Sequence, residues 1–252
     1  MDQILYRSGP GSTFDNVFDS AKSKENKKFI REFIWDITEN KTIITQLSLS
    51  EVDIRTEMDN FGVNLKIKHP SYIRKRGFIQ TRKGLHINYK TVFDNSSANF
   101  NELSPVVTFS ADIKNNEDPS ICFLKFVQNI RYKVPPKFFQ GKYIMEFFPP
   151  LNCLYRNYGD CDTKAILLAS LLEGASFRKE RMVIIVLKGF GIFHAILAIE
   201  RIPLPGMLSF YIDRMGPFIP METTIKGWMP GFTNRQVNLC LQNGQFRFVK
   251  LF

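Results

Sequence analysis

The sequence NYGDCDTKAILLASLLEG, at residues 157–174, decides the fold of this 252-residue chain. Its first residues are turn formers, the Ala-, Ile- and Leu-rich run that follows favours a helix, and Gly174 is a typical helix stop. The pattern predicts a largely buried helix with Cys161 in its first turn. We expect the N–H groups and the dipole at this helix end to lower the pKa of the Cys161 thiol and to be able to receive an oxyanion.

A histidine follows on a predicted strand. Residues 182–199 are mostly apolar but contain Lys188, His194 and the sequence GFG at 189–191. This pattern favours two buried strands joined by a glycine turn over a membrane span. His194 begins the second strand, where its imidazole could take the proton of a thiol and deliver it to a leaving group.

Two acids could orient the imidazole of His194 and fix its tautomer. Asp213 would return beside His194 through a simple hairpin. Glu222 lies in the sequence IPMETT at residues 219–224, which has the pattern of a strand with an acid near its end. The local pattern favours Glu222, and Asp213 stays as the alternative.

Three features together resemble the transglutaminase-like branch of the papain-like cysteine enzymes. They are GDCD at residues 159–162 heading an apolar helix, HAILA at 194–198 on a strand, and an acid in a later strand that ends in threonine. The resemblance spans about residues 121–224. It implies an α+β catalytic domain in which the helix bearing Cys packs on an antiparallel sheet bearing His and the acid. The family pattern is Asp-Pro-Thr, so Glu222 would replace the family's aspartate.

The resemblance implies acyl transfer from amides. We expect a thiol-dependent amide or peptide-bond hydrolase that forms an acyl-enzyme on Cys161, because water needs no second binding site. One alternative is a transglutaminase or deamidase, and another is an inactive module that keeps the fold and only binds. The expected partner is a protein, peptide or peptidoglycan-like amide.

The residues around Cys161 suggest further roles in substrate binding and in setting the thiol pKa. Tyr158 and Asn157 are candidates for substrate binding, and with Tyr155 they are candidates for the second oxyanion donor. A carboxylate near the sulfur would raise the thiol pKa, so we expect Asp160 and Asp162 to point away from it. They would cap the helix or pair with Lys164 or Arg156.

The charge balance of the chain bears on whether its partner is a nucleic acid. The chain has 34 Lys and Arg against 24 Asp and Glu, a net charge of +10, and the excess lies almost entirely after residue 118. A basic stretch at residues 66–83 shows no helix-turn-helix, zinc-finger or RNP signature. We therefore expect no nucleic-acid partner, and read the net charge as favouring acidic or peptidoglycan-like substrates.

The cysteine and histidine spacing bears on disulfides and metal sites, and the N-terminal sequence bears on location. There are four cysteines and three histidines, no CxxC, and no histidine within five residues of a cysteine. We expect free thiols, no metal and no cofactor. The first residues lack a basic flank and an apolar stretch, so we expect no signal peptide, no membrane span in this chain and a cytoplasmic location.

A polar segment, residues 94–104, is the predicted boundary between two domains. Residues 101–252 are the expected catalytic domain, and residues 1–100 a small N-terminal α/β region of unknown role. The predicted helices are residues 24–36 and 119–129. The predicted strands are residues 42–50, 62–68, 77–82, 85–93, 237–241 and 245–252, the last two joined by a turn at Asn243 and Gly244.

Overall fold

The structure, a computed structural model, describes residues 4–6, 27–67, 69–82, 84–113, 118–176, 182–212 and 215–251. It is a mixed α+β structure, as the sequence predicts. Its strands are β1 Ile4–Tyr6, β2 Lys28–Thr38, β3 Lys41–Ser50, β4 Phe78–Thr81, β5 Gly84–Ile87, β6 Arg131–Tyr132, β7 Phe138–Phe139, β8 Lys142–Tyr143, β9 Tyr158–Gly159, β10 Met182–Gly189, β11 Ile192–Glu200, β12 Phe210–Tyr211, β13 Pro217–Met221 and β14 Phe246–Lys250. Its helices are α1 Glu51–Phe61, α2 Pro70–Lys75, α3 Tyr89–Ser96, α4 Phe100–Ser110, α5 Pro119–Asn129, α6 Pro150–Arg156, α7 Cys161–Gly174 and α8 Arg235–Gln242, with a 3₁₀ turn at Ser97–Asn99.

A five-stranded antiparallel sheet forms the centre of the C-terminal half. Its strand order is β12-β13-β11-β10-β14. Strands β10 and β11 are the hairpin predicted for residues 182–199, and the two turn residues, Phe190 and Gly191, both have positive φ angles of 47° and 79°. Two positive φ values match the right-handed twist of the flanking strands. The predicted hairpin is confirmed.

Helix α7 packs on one face of this sheet and α8 on the other. The side chain of Asp160 accepts a hydrogen bond from the N–H of Thr163 and so caps α7. The helix is buried around its circumference from Thr163 to Leu172, which matches its apolar sequence, and it ends at Gly174. The predicted position and extent of this helix are confirmed.

The N-terminal half is built on the hairpin of β2 and β3. Trp35 and Phe33 of β2 meet the ring of Phe126 on α5 with centroids 5.6 and 5.1 Å apart. The predicted helix at residues 24–36 is wrong, because β2 occupies most of this segment. The inward-facing positions of β2 include Arg31, whose guanidinium lies over the ring of Tyr155. Because a charged residue stands at an inward position, the sequence does not show the two-residue alternation of apolar residues that is typical of a strand.

Other predicted strands are wrong for local reasons. Residues 237–241 belong to α8, which begins where the side chain of Asn234 accepts from the N–H of Val237. Residues 89–93 belong to α3, which begins where the side chain of Asn88 accepts a hydrogen bond from the N–H of Thr91. Only the start of the predicted strand 85–93 is therefore correct. In residues 62–67 the structure shows one isolated bridge, from Val63 to Tyr143.

The N-terminal region and the C-terminal half share a core. One cluster of buried side chains extends from Phe29 to Leu251, and the segment 94–104, predicted as a boundary, is mostly helical. The carboxylate of Glu57 on α1 accepts hydrogen bonds from the N–H groups of Leu151 and Asn152, at 3.1 Å each, at the start of α6. In the part of the chain that the structure describes, no helix is long and apolar enough to cross a membrane.

Candidate active site

Cys161 is the first residue of α7, at the point where the helix end meets the central sheet. The backbone N–H groups of Ala195 and Asp162 are close enough to its sulfur to favour the thiolate. Strand β13 pairs with β11 only from Leu197 onward, so the edge of β11 at Ala195 is open to the helix end. Cys161 thus lies against the residue that directly follows His194.

His194 and Glu222 are in direct contact. The Nε2 atom of His194 lies 2.8 Å from Oε2 of Glu222, and the glutamate side chain is fully buried. Glu222 follows the last residue of β13, and the Leu197–Met221 register brings it alongside the start of β11. Its second oxygen, Oε1, accepts from the backbone N–H of Thr224 at 2.8 Å and from its hydroxyl at 2.6 Å.

The contact with Glu222 assigns a role to each ring nitrogen of His194. An ionised carboxylate can only accept, so Nε2 carries the proton and Nδ1 is left with a free lone pair. Burial opposes the ionisation of Glu222, but hydrogen bonds from His194 and Thr224 lower its pKa below the usual value. The structure thus places Glu222 on the imidazole of His194, and Cys161 next to the backbone of Ala195, the residue that follows His194. Asp213, the alternative acid, lies outside the described residues.

The electrostatics of Cys161 differ from the prediction. Burial raises the pKa of its thiol above the usual value, and the carboxyl groups of Asp162 and Asp160 raise it further. Hydrogen bonds from the N–H groups of Ala195 and Asp162 act in the opposite direction but are the smaller effect. The expected lowering of the thiol pKa is therefore wrong, and the resting thiol is neutral.

The two aspartates form a carboxyl pair instead of both turning away. Asp160 caps α7 as expected, but it also hydrogen-bonds Asp162. Burial raises the pKa of Asp162 well above its usual value, and the nearby carboxyl of Asp160 raises it further. The hydroxyl of Tyr89 on α3 donates to Oδ2 of Asp162 at 3.1 Å. The expected partner Lys164 instead donates to the backbone oxygen of Ile130 at 2.8 Å.

The predicted substrate-binding residues hold the turn that precedes Cys161. Asn157 ends α6 in the left-handed region, with φ 54°. The ring of Tyr158 packs edge-on against Phe148, with centroids 5.5 Å apart, and Lys133 lies over it at 4.8 Å. Tyr155 is buried. These contacts hold the loop that leads into Cys161.

Tyr132 is a candidate functional residue that the sequence reasoning missed. It pairs with Gly159 in the short parallel ladder of β6 and β9, two residues before Cys161, and it is 53% exposed. Burial raises the pKa of its hydroxyl, and the neighbouring Cys161 and Asp160 raise it further. No sequence spacing could reveal it, because a parallel pairing joins distant segments.

Among the residues that the structure describes, no group of three His, Cys, Asp or Glu side chains could hold a metal ion. All four cysteines are free thiols, as predicted. A scan against protein-family models and a search of curated proteins found no match to this chain.

Proposed function

We propose that this protein is a thiol-dependent amide or peptide-bond hydrolase that forms an acyl-enzyme on Cys161. The observation that carries the proposal is the 2.8 Å contact of His194 with the buried Glu222, beside a cysteine at a helix N-terminus. A histidine held by a buried acid, with a thiol at a helix N-terminus next to the backbone of the residue that follows the histidine, matches the requirements of nucleophilic catalysis. The resemblance to the transglutaminase-like enzymes supports the same reading.

The raised thiol pKa determines how the first step would run. His194 Nδ1 takes the proton from Cys161 as the sulfur attacks the carbonyl carbon, so no free thiolate has to persist. The carbonyl oxygen becomes an oxyanion near the N–H groups at the start of α7, and the hydroxyl of Tyr132 is the candidate second donor. Glu222 stabilises the imidazolium that forms.

The intermediate then collapses in balanced steps. The imidazolium donates its proton to the leaving nitrogen, the C–N bond breaks, and the amine departs from a thioester on Cys161. Water attacks this thioester while His194 takes its proton. The C–S bond then breaks to release the acid, and the imidazolium returns the proton to the sulfur, which restores the thiol. An amine in place of water would give transglutamination by the same route.

One observation favours a second candidate function, a module that binds without catalysis. The carboxyl pair of Asp160 and Asp162 next to the sulfur raises the thiol pKa, which is unusual for an activated nucleophile. A neutral thiol with no working base would be an ordinary buried cysteine. The two functions therefore differ in whether His194 makes Cys161 more reactive.

The test is alkylation and acyl-enzyme trapping at Cys161. We expect chloroacetamide to modify Cys161 ahead of the three buried cysteines, and His194→Gln to slow this at least tenfold, whereas His69→Gln, an exposed control, leaves it unchanged. A library of peptide amides should give a thioester mass on Cys161 of the wild type and none on Cys161→Ala. Addition of a biotinylated primary amine then separates hydrolysis from transfer. Equal alkylation in His194→Gln and no acyl adduct would leave only the binding module.

A further inference from the structure

A groove lies between the N-terminal hairpin of β4 and β5 and one end of the central sheet. It has a volume of about 790 Å³, which is within the range of ligand sites. Its walls carry three permanent cations, Arg82, Lys188 and Arg247, and none of the described residues that line it is an Asp or Glu. We refer to this surface as the cationic groove.

In the described ranges, Arg82, Lys188 and Arg247 make no ion pair with a carboxylate. Two large apolar side chains are exposed beside them, Phe193 at 73% and Ile79 at 46%. Exposed apolar surface next to unpaired cations is typical of a site that binds an anionic chain.

The cationic groove reaches the candidate active site. Its lining includes Tyr89, whose hydroxyl donates to Asp162, the neighbour of Cys161, and Phe193, the neighbour of His194. Its floor includes Val186, which pairs with Ala195 on one side and with Arg247 on the other. Arg247 is therefore two strand spacings, about 10 Å, from the strand position that contacts the sulfur of Cys161.

We propose that the cationic groove binds the acyl-donor side of an acidic peptide substrate, a statement that rests on the proposed function. An extended peptide advances about 3.3 Å per residue, so a span of about 10 Å corresponds to roughly three residues. Arg247 and Lys188 would meet carboxylates about three residues from the amide that Cys161 attacks, and Phe193 would cover an apolar side chain between them. The N-terminal hairpin then forms a wall of the substrate site.

Binding is measured on Cys161→Ala, so that the result does not depend on turnover. The probes are a fluorescein-labelled decapeptide with Asp at alternating positions around a central Gln, and the same peptide with Asn in place of Asp. We expect the Asp peptide to bind about five- to tenfold more tightly at low salt, as for two partly exposed charge pairs, and 0.5 M NaCl to remove the preference. The double substitution Lys188→Gln and Arg247→Gln should abolish the preference. A control that removes the same charge outside the groove, Lys66→Gln with Lys75→Gln, should retain it.

A second measurement ties the groove to the thiol. The Asp peptide should slow chloroacetamide modification of Cys161 in the wild type, and the Asn peptide should do so only at higher concentration. Four results would each overturn the proposal. The first two are equal or absent binding of both peptides, and a preference for Asp that survives the substitutions at Lys188 and Arg247. The other two are peptide binding that leaves alkylation of Cys161 unchanged, and tighter binding of a ten-nucleotide single-stranded DNA. If the binding results hold but His194→Gln leaves alkylation unchanged, the proposed catalysis fails while the groove remains.

Discussion

Replacing Glu222 by Gln should disable His194 by reversing its tautomer. In the wild type Oε2 of Glu222 faces Nε2 of His194, and Oε1 receives two hydrogen bonds from Thr224. A glutamine has one oxygen and one NH₂ group, so only one of these two positions can keep its acceptor. The arrangement that keeps the Thr224 bonds turns NH₂ toward Nε2. His194 would then have to accept at Nε2 and carry its proton on Nδ1, the nitrogen that receives the proton of Cys161 in the proposed mechanism.

The size of the effect follows from the two orientations. Turning the amide to favour His194 would leave the N–H of Thr224 unpaired, which costs about 1–3 kcal/mol, although the hydroxyl of Thr224 could rotate to accept. Since about 1.4 kcal/mol is a factor of ten, the productive orientation falls to roughly one tenth to one hundredth. Loss of the carboxylate also removes a charged hydrogen bond of about 1.5–3 kcal/mol from the imidazolium. Together these terms predict a loss of about 10²- to 10⁴-fold in acylation rate.

The tautomer can be observed directly, without a substrate. The chain has three histidines, so long-range ¹H–¹⁵N correlation spectra are simple to assign with His69→Gln and His86→Gln. We expect wild-type His194 to be protonated on Nε2 and the Glu222→Gln variant on Nδ1, with slower alkylation of Cys161 in the variant. Thr224→Val, which removes the hydroxyl but keeps the carboxylate, should retain the wild-type tautomer. The same tautomer and the same alkylation rate in Glu222→Gln would refute the reasoning.

Three further predictions concern the surroundings of the site. Asp162→Asn removes a carboxyl that raises the pKa of Cys161, so alkylation at pH 8 should become severalfold faster than in the wild type; an unchanged rate would contradict the role of this charge. Burial raises the pKa of Glu57 from 4.5 to about 6, so its contribution to stability is present in full below about pH 4.5 and is lost as pH rises through about 6. Urea unfolding should show the wild type losing about 2 kcal/mol relative to Glu57→Gln between pH 4 and 7, and parallel curves would contradict this. A Cβ on Gly174 would lie 2.3 Å from the backbone oxygen of Phe100, so Gly174→Ala should cost about 1–3 kcal/mol in the same assay, and an unchanged unfolding midpoint would show that the helix ends can move apart.

The parts of the fold that the sequence predicts correctly depend on local signals. Helix α7 has its cap, its apolar run and its terminal glycine within 15 consecutive residues, and the β10–β11 hairpin has its turn between two apolar strands. The contact of His194 with Glu222 was also favoured, because the strand pattern of residues 219–224 places the acid at a strand end. In each case the deciding residues are neighbours in the chain.

The wrong predictions for β2 and α8 concern segments whose apolar spacing fits both a helix and a strand. In β2 the apolar residues fit both a two-residue and a helical spacing, and Arg31 at an inward position favoured the wrong reading. In α8 the alternating apolar residues resembled a strand, but the buried set is Val237, Cys240 and Leu241, with the spacing of a helix. The side chain of Asn234 decides between the two, because it caps the helix.

Other features of the site could not be predicted, because they depend on contacts between distant segments. Tyr132 reaches the start of α7 through the pairing of β6 with β9. The raised pKa of Cys161 depends on how deeply the thiol is buried and on which way Asp162 turns. A sequence shows that a cysteine begins a helix, but not whether the charge near that helix end is dominated by N–H groups or by carboxylates.

The N-terminal region is connected to the candidate chemistry at two points, which argues against an independent appendage. Tyr89 donates to Asp162 beside the thiol, and Glu57 holds the first N–H groups of α6, the helix that leads into the Cys161 turn. A change in the position of this region would alter both the carboxyl pair and the turn before Cys161. The same region supplies the wall of the cationic groove that contains Arg82.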